Sequence, residues 1–351
     1  MSAPRSLRVW IFALAGMHAV IACAGFFAPY DPAEQDRERP YAPPAKIHFR
    51  DARGEFHARP FVYPMHLREG AFDQYAEDTA KPAAIRWFVA GARYHLLGIV
   101  PCRVHLFGAD GARVSLAGTD GYGRDMLSRL LYGGQISLLA GLLATALALL
   151  AGLLIGAAAG YVGGWTDEIL MRLAELFLAL PWLYLLFALR AFLPLAVTPL
   201  EAFFLVVVVI GVVGWARPAR LVRGVVLSAK ERDYVRAARG FGASNGYLLR
   251  RHILPQTSSV LLTQAAILVP QYVLAEVTLS FLGLGVPEPA PSWGNLLASM
   301  QQYSVLTSYW WMALPALALT PFFLGYLGLA SALQRWADPS NMKAVGTEGW
   351  R

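Results

Sequence analysis

The sequence predicts an all-α polytopic membrane protein of about six transmembrane helices carrying one folded extramembrane insert, and three observations predict it. Hydrophobic residues make up 56% of the 351 positions and the mean hydropathy is +0.45, above the roughly 45–50% apolar usage of soluble domains. Charged residues make up only 15%, and several stretches as long as a bilayer is thick carry none, as hydrocarbon demands. Polar composition is instead concentrated in one block, Tyr30 to Ala117.

The formal charge of +7 arises from 30 Lys plus Arg against 23 Asp plus Glu. Basic residues gathered in short loops fix the topology of a membrane protein, so this excess calls for no nucleic-acid partner. The two cysteines, Cys23 and Cys102, stand far apart in sequence. They form neither a disulfide framework nor a metal-binding cluster.

In chain order, Leu7 to Phe27 behind Arg5 and Arg8 is long enough to cross the hydrocarbon, and residues 1–29 are read as an uncleaved anchor. The rival reading is processing at Ala22-Cys23-Ala24, which resembles a signal or lipoprotein cleavage site. The run is longer than a signal-peptide core, which favours the anchor. Residues 30–117 form the insert, of mixed or β structure. Lys46-Ile47-His48-Phe49 and Arg103-Val104-His105-Leu106-Phe107 alternate polar with apolar, as half-buried strands do.

From Leu130 to Thr166 no residue is charged, and a second span centres on Ile136 to Tyr161, with Gly141, Gly152, Gly156 and Gly160 suited to close helix packing. A third runs from Asp167 to about Leu189; Arg172 and Glu175, spaced i, i+3, can pair on one face. A fourth spans Leu200 to Trp215. The most basic segment follows, Arg217 to Arg251, which the positive-inside rule makes cytoplasmic. The fifth span covers Leu261 to Leu284 with Glu276 inside it, and the sixth Tyr309 to Leu333. Residues 118–339 thus form a core of five spans, with a tail of 340–351. An even number of spans places both termini in the cytoplasm and the insert outside.

Within the basic segment, Asp233 to Ser244 reads as a helix ended by Gly240 and Gly242, either able to turn at positive φ. Leu248, Leu249 and Ile253 give a second helix an apolar face, and Pro255 is expected to stop it. This segment resembles the coupling loop of ABC importer permeases, whose signature is Glu-Ala-Ala, three residues, Gly, nine residues, Ile, one residue, Leu-Pro. Ala237, Ala238, Gly242, Leu254 and Pro255 are in register, while Arg236 replaces the Glu and His252 the Ile.

Two further stretches are similar to the C-type permeases of dipeptide, oligopeptide and nickel importers, the binding-protein-dependent inner-membrane components. The first is Gly118-Thr119-Asp120-Gly121-Tyr122-Gly123-Arg124-Asp125 with Leu127-Ser128-Arg129 after it. By its residues it is a glycine-rich turn in which Thr119 or Asp120 caps a short amphipathic helix, with Met126, Leu127, Leu130 and Leu131 facing lipid at the outer surface. The second runs from Glu276 to Pro287 and ends in Pro291-Ser292-Trp293-Gly294. An acid within a span is costly, so Glu276 is expected in the bundle interior or a wet cavity; a substrate amine and a structural hydrogen bond are both open as its partner. The resemblance covers most of Leu116 to Pro339.

The resemblance implies a type I importer fold and one half of a translocation path. It further implies a homologous permease as heterodimer partner, two cytoplasmic ATP-binding subunits on the coupling loops, a periplasmic substrate-binding protein and the bacterial inner membrane. No cofactor or metal is implied for this chain. None of the lysines at 46, 81, 230 and 343 is preceded by Gly or followed by Ser or Thr, so no phosphate-cradling loop exists and ATP must be hydrolysed elsewhere. A secondary transporter would need further intramembrane charges or broken helices in inverted repeats, and an intramembrane enzyme a nucleophile with its base.

Overall fold

The computed structural model describes residues 5–68, 74–192, 194 and 196–337; the tail 340–351 lies outside them. Helix α1, Arg5–Ala22, is followed after Cys23 by a single turn, α2, Ala24–Phe27, so the first apolar run is two helical pieces. The insert follows. Strands β1 (His48–Arg50), β2 (Phe56–Val62), β5 (Ala83–Leu96) and β6 (Val100–Ala109) form an antiparallel sheet in the order β1-β2-β5-β6, and β3 (Met65–Leu67) pairs with β4 (Tyr75–Glu77). Of the predicted alternating stretches, Arg103 to Phe107 lies wholly in β6, whereas only His48 and Phe49 of the first fall in β1. Val62, Ala83, Ile85, Phe107 and Val114 are its buried core, with Leu127 of the bundle packed against them.

The helical part is built on α3, Met126–Val162, of 37 residues. Its buried face is small, Ala and Gly, which brings neighbouring backbones close. Gly156 is the sharpest instance: a Cβ there would sit 2.3 Å from the carbonyl oxygen of Ala219, so only glycine lets the two helices meet.

Next come α4 (Gly164–Ala179) and α5 (Trp182–Ala191), bent by 94°, then α6 (Pro199–Gly214) and α7 (Ala216–Lys230), bent by 44°. The expected third span is therefore broken at Leu180-Pro181, where proline removes a helical donor and obstructs the preceding turn. Arg172 and Glu175 do pair, at 3.1 Å on an exposed face. A capping box starts α6: Thr198 Oγ1 accepts from Glu201 N and the Glu201 carboxylate accepts from Thr198 N.

Beyond α7 lie α8 (Asp233–Gly240), α9 (Asn245–Leu248), one π turn (Leu249–Ile253), one 3-10 turn (Leu254–Thr257) and α10 (Ser258–Phe281). Asn245–Phe281 is one nearly continuous rod, so Pro255 does not stop the helix. It sits where the run changes from the π turn to the 3-10 turn, so the missing N–H falls at a switch in the hydrogen-bond pattern rather than inside a regular α-helical ladder. Short helices α11 (Trp293–Ala298) and α12 (Tyr303–Ser308) precede α13, Leu314–Ala337. Among the described residues four helical stretches are long and apolar enough to cross a bilayer alone, and the number rises to six if each bent pair is one span.

Candidate functional site

Two poles of the bundle carry the residues singled out by sequence. At the basic pole, α8 ends in three bonds: Phe241 N to Ala237 O, Gly242 N to Arg239 O and Ala243 N to Ala238 O, at 3.0, 3.0 and 3.1 Å. This is a Schellman closure with Gly242 at its left-handed position, φ +84. Gly240 is ordinary helix, so of the two glycines only Gly242 makes the turn. Ser244 then caps α9. Val235, Leu248 and Ile253 root this knob against Ala157 of α3 and Val222, Val226 and Ala229 of α7. The hydroxyl of Tyr161 donates to Asn245 Oδ1 at 2.7 Å, and Lys230 Nζ donates to Gly160 O at 3.0 Å. A paired Arg223 and Asp167 brace α7 against α4.

Outward, the knob presents Arg236, Ala237, Arg239, Gly240 and Pro255, with Phe241 92% exposed at its apex; Ala238 and Leu254 are half-buried. Arg236 pairs with Glu231 at 2.5 Å across the surface and holds that carboxyl below its usual range. The family's Glu position thus carries a cation already engaged with a neighbouring acid.

At the insert pole, the glycine-rich turn does not cap a separate helix. Asp125 caps α3 itself, accepting from Ser128 N and Ser128 Oγ at 2.7 Å each, and Met126 is buried among Val305, Trp311 and Met312 rather than facing lipid. Thr119 is also buried: its hydroxyl accepts from Ala42 N and donates to Arg39 O, tying the insert to the bundle. Asp120 and Glu288 hold two arginines. Arg124 bonds Asp120 at 2.7 Å and Glu288 at 2.6 Å, while Arg129, fully buried, reaches Glu288 at 2.8 Å and Asp120 at 3.5 Å. Gly118 and Gly123, both at positive φ, frame the turn. Burial pushes the Asp125 carboxyl up to about 6 against the opposing Ser128 bonds.

Glu276 is fully buried in α10. Its Oε1 accepts from Ser280 Oγ at 2.7 Å, and the Ser137 and Ser292 hydroxyls lie beside the carboxylate. Glu276 does not line the cavity of about 310 Å³ that opens where both helix breaks converge. That cavity is walled by Leu180, Pro181, Trp182, Gly214, Gln271 and Tyr272, with Arg217 at its edge. Irregular backbone at membrane depth persists only where protein or water satisfies it, and this cavity adjoins both interruptions.

Sequence reasoning missed Glu288, the second arginine of the latch and the cavity. Arg129 stood in a quoted motif at the charged edge of a span, which was the available signal. Glu288 is 159 residues away, with no local sign of its partner.

Bent and continuous helices around one small-residue rod, with an exposed helical knob at one pole, define a multi-pass membrane protein. Residues 152–341 match the family described as binding-protein-dependent transport system inner membrane component. The chain belongs to that family, one of transport components rather than enzymes. It is 36% identical over 218 residues to the dipeptide transport system permease protein DppC of Bacillus subtilis (strain 168), a match covering 62% of this chain and 66% of the relative, just under two thirds of that protein's length. To the oligopeptide transport system permease protein OppC of Haemophilus influenzae it is 39% identical over 223 residues, 62% of this chain and 68% of the relative. A solved inward-facing methionine ABC transporter overlaps 61% of this chain and 98% of its own, at 16% identity and a TM-score of 0.48.

Proposed function

We propose that the chain is one half of the translocation path of an ATP-driven peptide importer. It pairs with a homologous permease, and two ATP-binding subunits grip the α8–α9 knobs of the pair. A substrate-binding protein delivers cargo on the side of the insert. The substrate class rests on the names of the relatives, dipeptide and oligopeptide permeases. In this reading both termini and the knob are cytoplasmic and the insert periplasmic, which the nine basic residues between Arg217 and Arg251 favour.

The observation that carries the proposal is the knob itself. It falls inside the matched family segment, is rooted in the two helices that end beside it, and leaves Phe241 bare. Cavity closure at the two helix breaks is the mechanical counterpart: ATP-subunit closure pulls the knob, α7 and α10 move with it, and the space beside Trp182 and Tyr272 changes shape. The buried, serine-bonded Glu276 favours a packing role over a substrate contact.

The test is reconstitution with the ATP-binding subunits. Phe241→Asp is expected to insert at normal abundance but to lose copurification of the ATP-binding subunits and stimulation of their ATPase by loaded binding protein. Full stimulation by that variant would remove the knob from the coupling path. Orientation is tested separately: a cysteine at Ser244 should react with an impermeant thiol reagent only after lysis, and one at Arg53 in intact cells with the outer membrane opened. The reverse pattern overturns the orientation and leaves the family untouched.

A further inference from the structure

The β5–β6 hairpin ends in Leu96-Leu97-Gly98-Ile99-Val100-Pro101, six residues without charge. Leu97 is 61% exposed, Ile99 80% and Val100 51%. Such a tip on a water-facing domain would leave apolar surface in water, and its turn is costly as well. Ile99 N donates to Leu96 O, and Leu97 and Gly98 both have positive φ, the backbone of a type I′ turn. The first of those positions ordinarily takes Asn, Asp or Gly; a leucine there is strained.

Two contacts and one shared groove set the direction of the tip. His105 of β6 bonds the carbonyl of Ala28, just past α2. Farther toward the tip, the Tyr94 ring lies against Gly25. Farther still, Leu96, Pro101 and Cys102 share one groove with Cys23 at the end of α1. Each step toward the tip is thus a step back along the chain into the first transmembrane helix. At about 3.3 Å per strand residue, Leu97 lies roughly 10 Å beyond Tyr94, level with the last turn of α1.

We propose that this hairpin tip is embedded in the lipid leaflet on the insert's side of the membrane. Leu97, Ile99 and Val100 sit among acyl chains, and lipid fills the groove between Cys23 and Cys102. The occupant is bilayer lipid because the tip continues the lipid-exposed flank of α1, where Val20 is 41% exposed. Its rim is basic as well: Arg93, His95 and Arg103 are exposed just above the apolar end, at the level where phosphate headgroups lie. Burial of the tip in lipid offsets the strain of a leucine at positive φ. The inference rests on the membrane-spanning fold and is independent of which substrate is carried.

The complex reconstituted in liposomes, with Cys23 and Cys102 replaced by Ser, takes a single spin label at Ile99→Cys or, as reference, Arg53→Cys. Collision rates with oxygen and with a water-soluble nickel chelate are then compared. The expected result is a several-fold preference for oxygen at position 99 and the opposite preference at position 53. Equal behaviour at the two positions overturns the proposal. Low collision with both reagents at position 99 also overturns it, by showing that another protein surface covers the tip. On the unaltered chain, a phospholipid with a photoactivatable acyl chain should add mass to the peptide containing residues 94–103; adducts on α1 without any there would equally refute it.

Discussion

The insert pole and the basic pole use their charges in opposite ways. At the insert pole, Arg124 and Arg129 are buried and each meets both Asp120 and Glu288, so a loop after α10 is clamped to the start of α3. At the basic pole, Arg236 meets one exposed acid, and the remaining arginines of the knob face outward. Charge that is removed from water must be paired, and its pairing locks geometry; charge left in water contributes little to the fold and stays available to a partner. The contrast separates a fixed end of the bundle from an exposed knob, the handle of the proposed function.

The largest expected effect breaks the fixed end. Arg129→Met leaves Glu288, whose side chain is 46% exposed, with one arginine and removes a buried member of the network, a loss of about 1–3 kcal/mol. Thermal unfolding in detergent, followed by tryptophan fluorescence, should show a clearly lowered midpoint, together with reduced abundance in the membrane. An unchanged midpoint would mean that the latch is not holding the loop.

Gly242→Pro attacks the handle. Proline cannot adopt φ +84 and has no N–H for Arg239 O, so the Schellman closure is lost. Uptake by the reconstituted transporter should fall to background while the inserted amount stays near normal, because the spans are untouched. A variant that disappears from the membrane would show the knob to be part of the fold's foundation, and the contrast would collapse.

A third change sharpens the contrast through pH. Asp125 has its folded pKa raised from 3.8 to about 6, so its favourable contribution is full below the unfolded pKa and is lost as pH rises through about 6. Asp125→Asn keeps a capping side chain and removes the ionisation. Its unfolding free energy should gain on that of the natural chain as pH rises from about 4 to about 7, by up to about 3 kcal/mol, read as a rise in relative midpoint. No pH dependence in that difference would place the carboxylate in contact with water.

The smallest effect is expected at Arg236→Ala, which removes an exposed pair. The midpoint should not move measurably, and any loss should appear only in ATP-subunit stimulation. A drop in stability matching that of Arg129→Met would erase the distinction between the poles.

The spans were legible because hydrocarbon imposes a one-dimensional rule, long apolar runs without charge, that needs no knowledge of contacts. The backbone of the knob was legible because a glycine at one spacing and apolar residues at another form a local pattern, and Gly242 takes the expected positive φ. What failed were judgements that depend on neighbours. Pro181 breaks its helix by 94°, whereas Pro270 and Pro321 stand inside continuous helices and Pro255 inside a run that carries on. The residue is the same, and the surrounding packing decides. Met126 looked lipid-facing for the same reason: the aromatic residues that bury it come from nearly 200 positions later.

At 1.5 Å per residue, the 37 residues of α3 measure about 55 Å against roughly 30 Å of hydrocarbon. One end is capped by Asp125 beneath the insert, and the other reaches Tyr161, whose hydroxyl touches the handle. Uninterrupted by any proline, the helix behaves as a lever pivoting in the bilayer. A tilt of roughly 10° about its middle would carry each tip some 5 Å in opposite directions. Under the proposed function, a pull on the handle would be felt at the far surface as a sideways swing of the latch, on the side proposed to receive the substrate-binding protein.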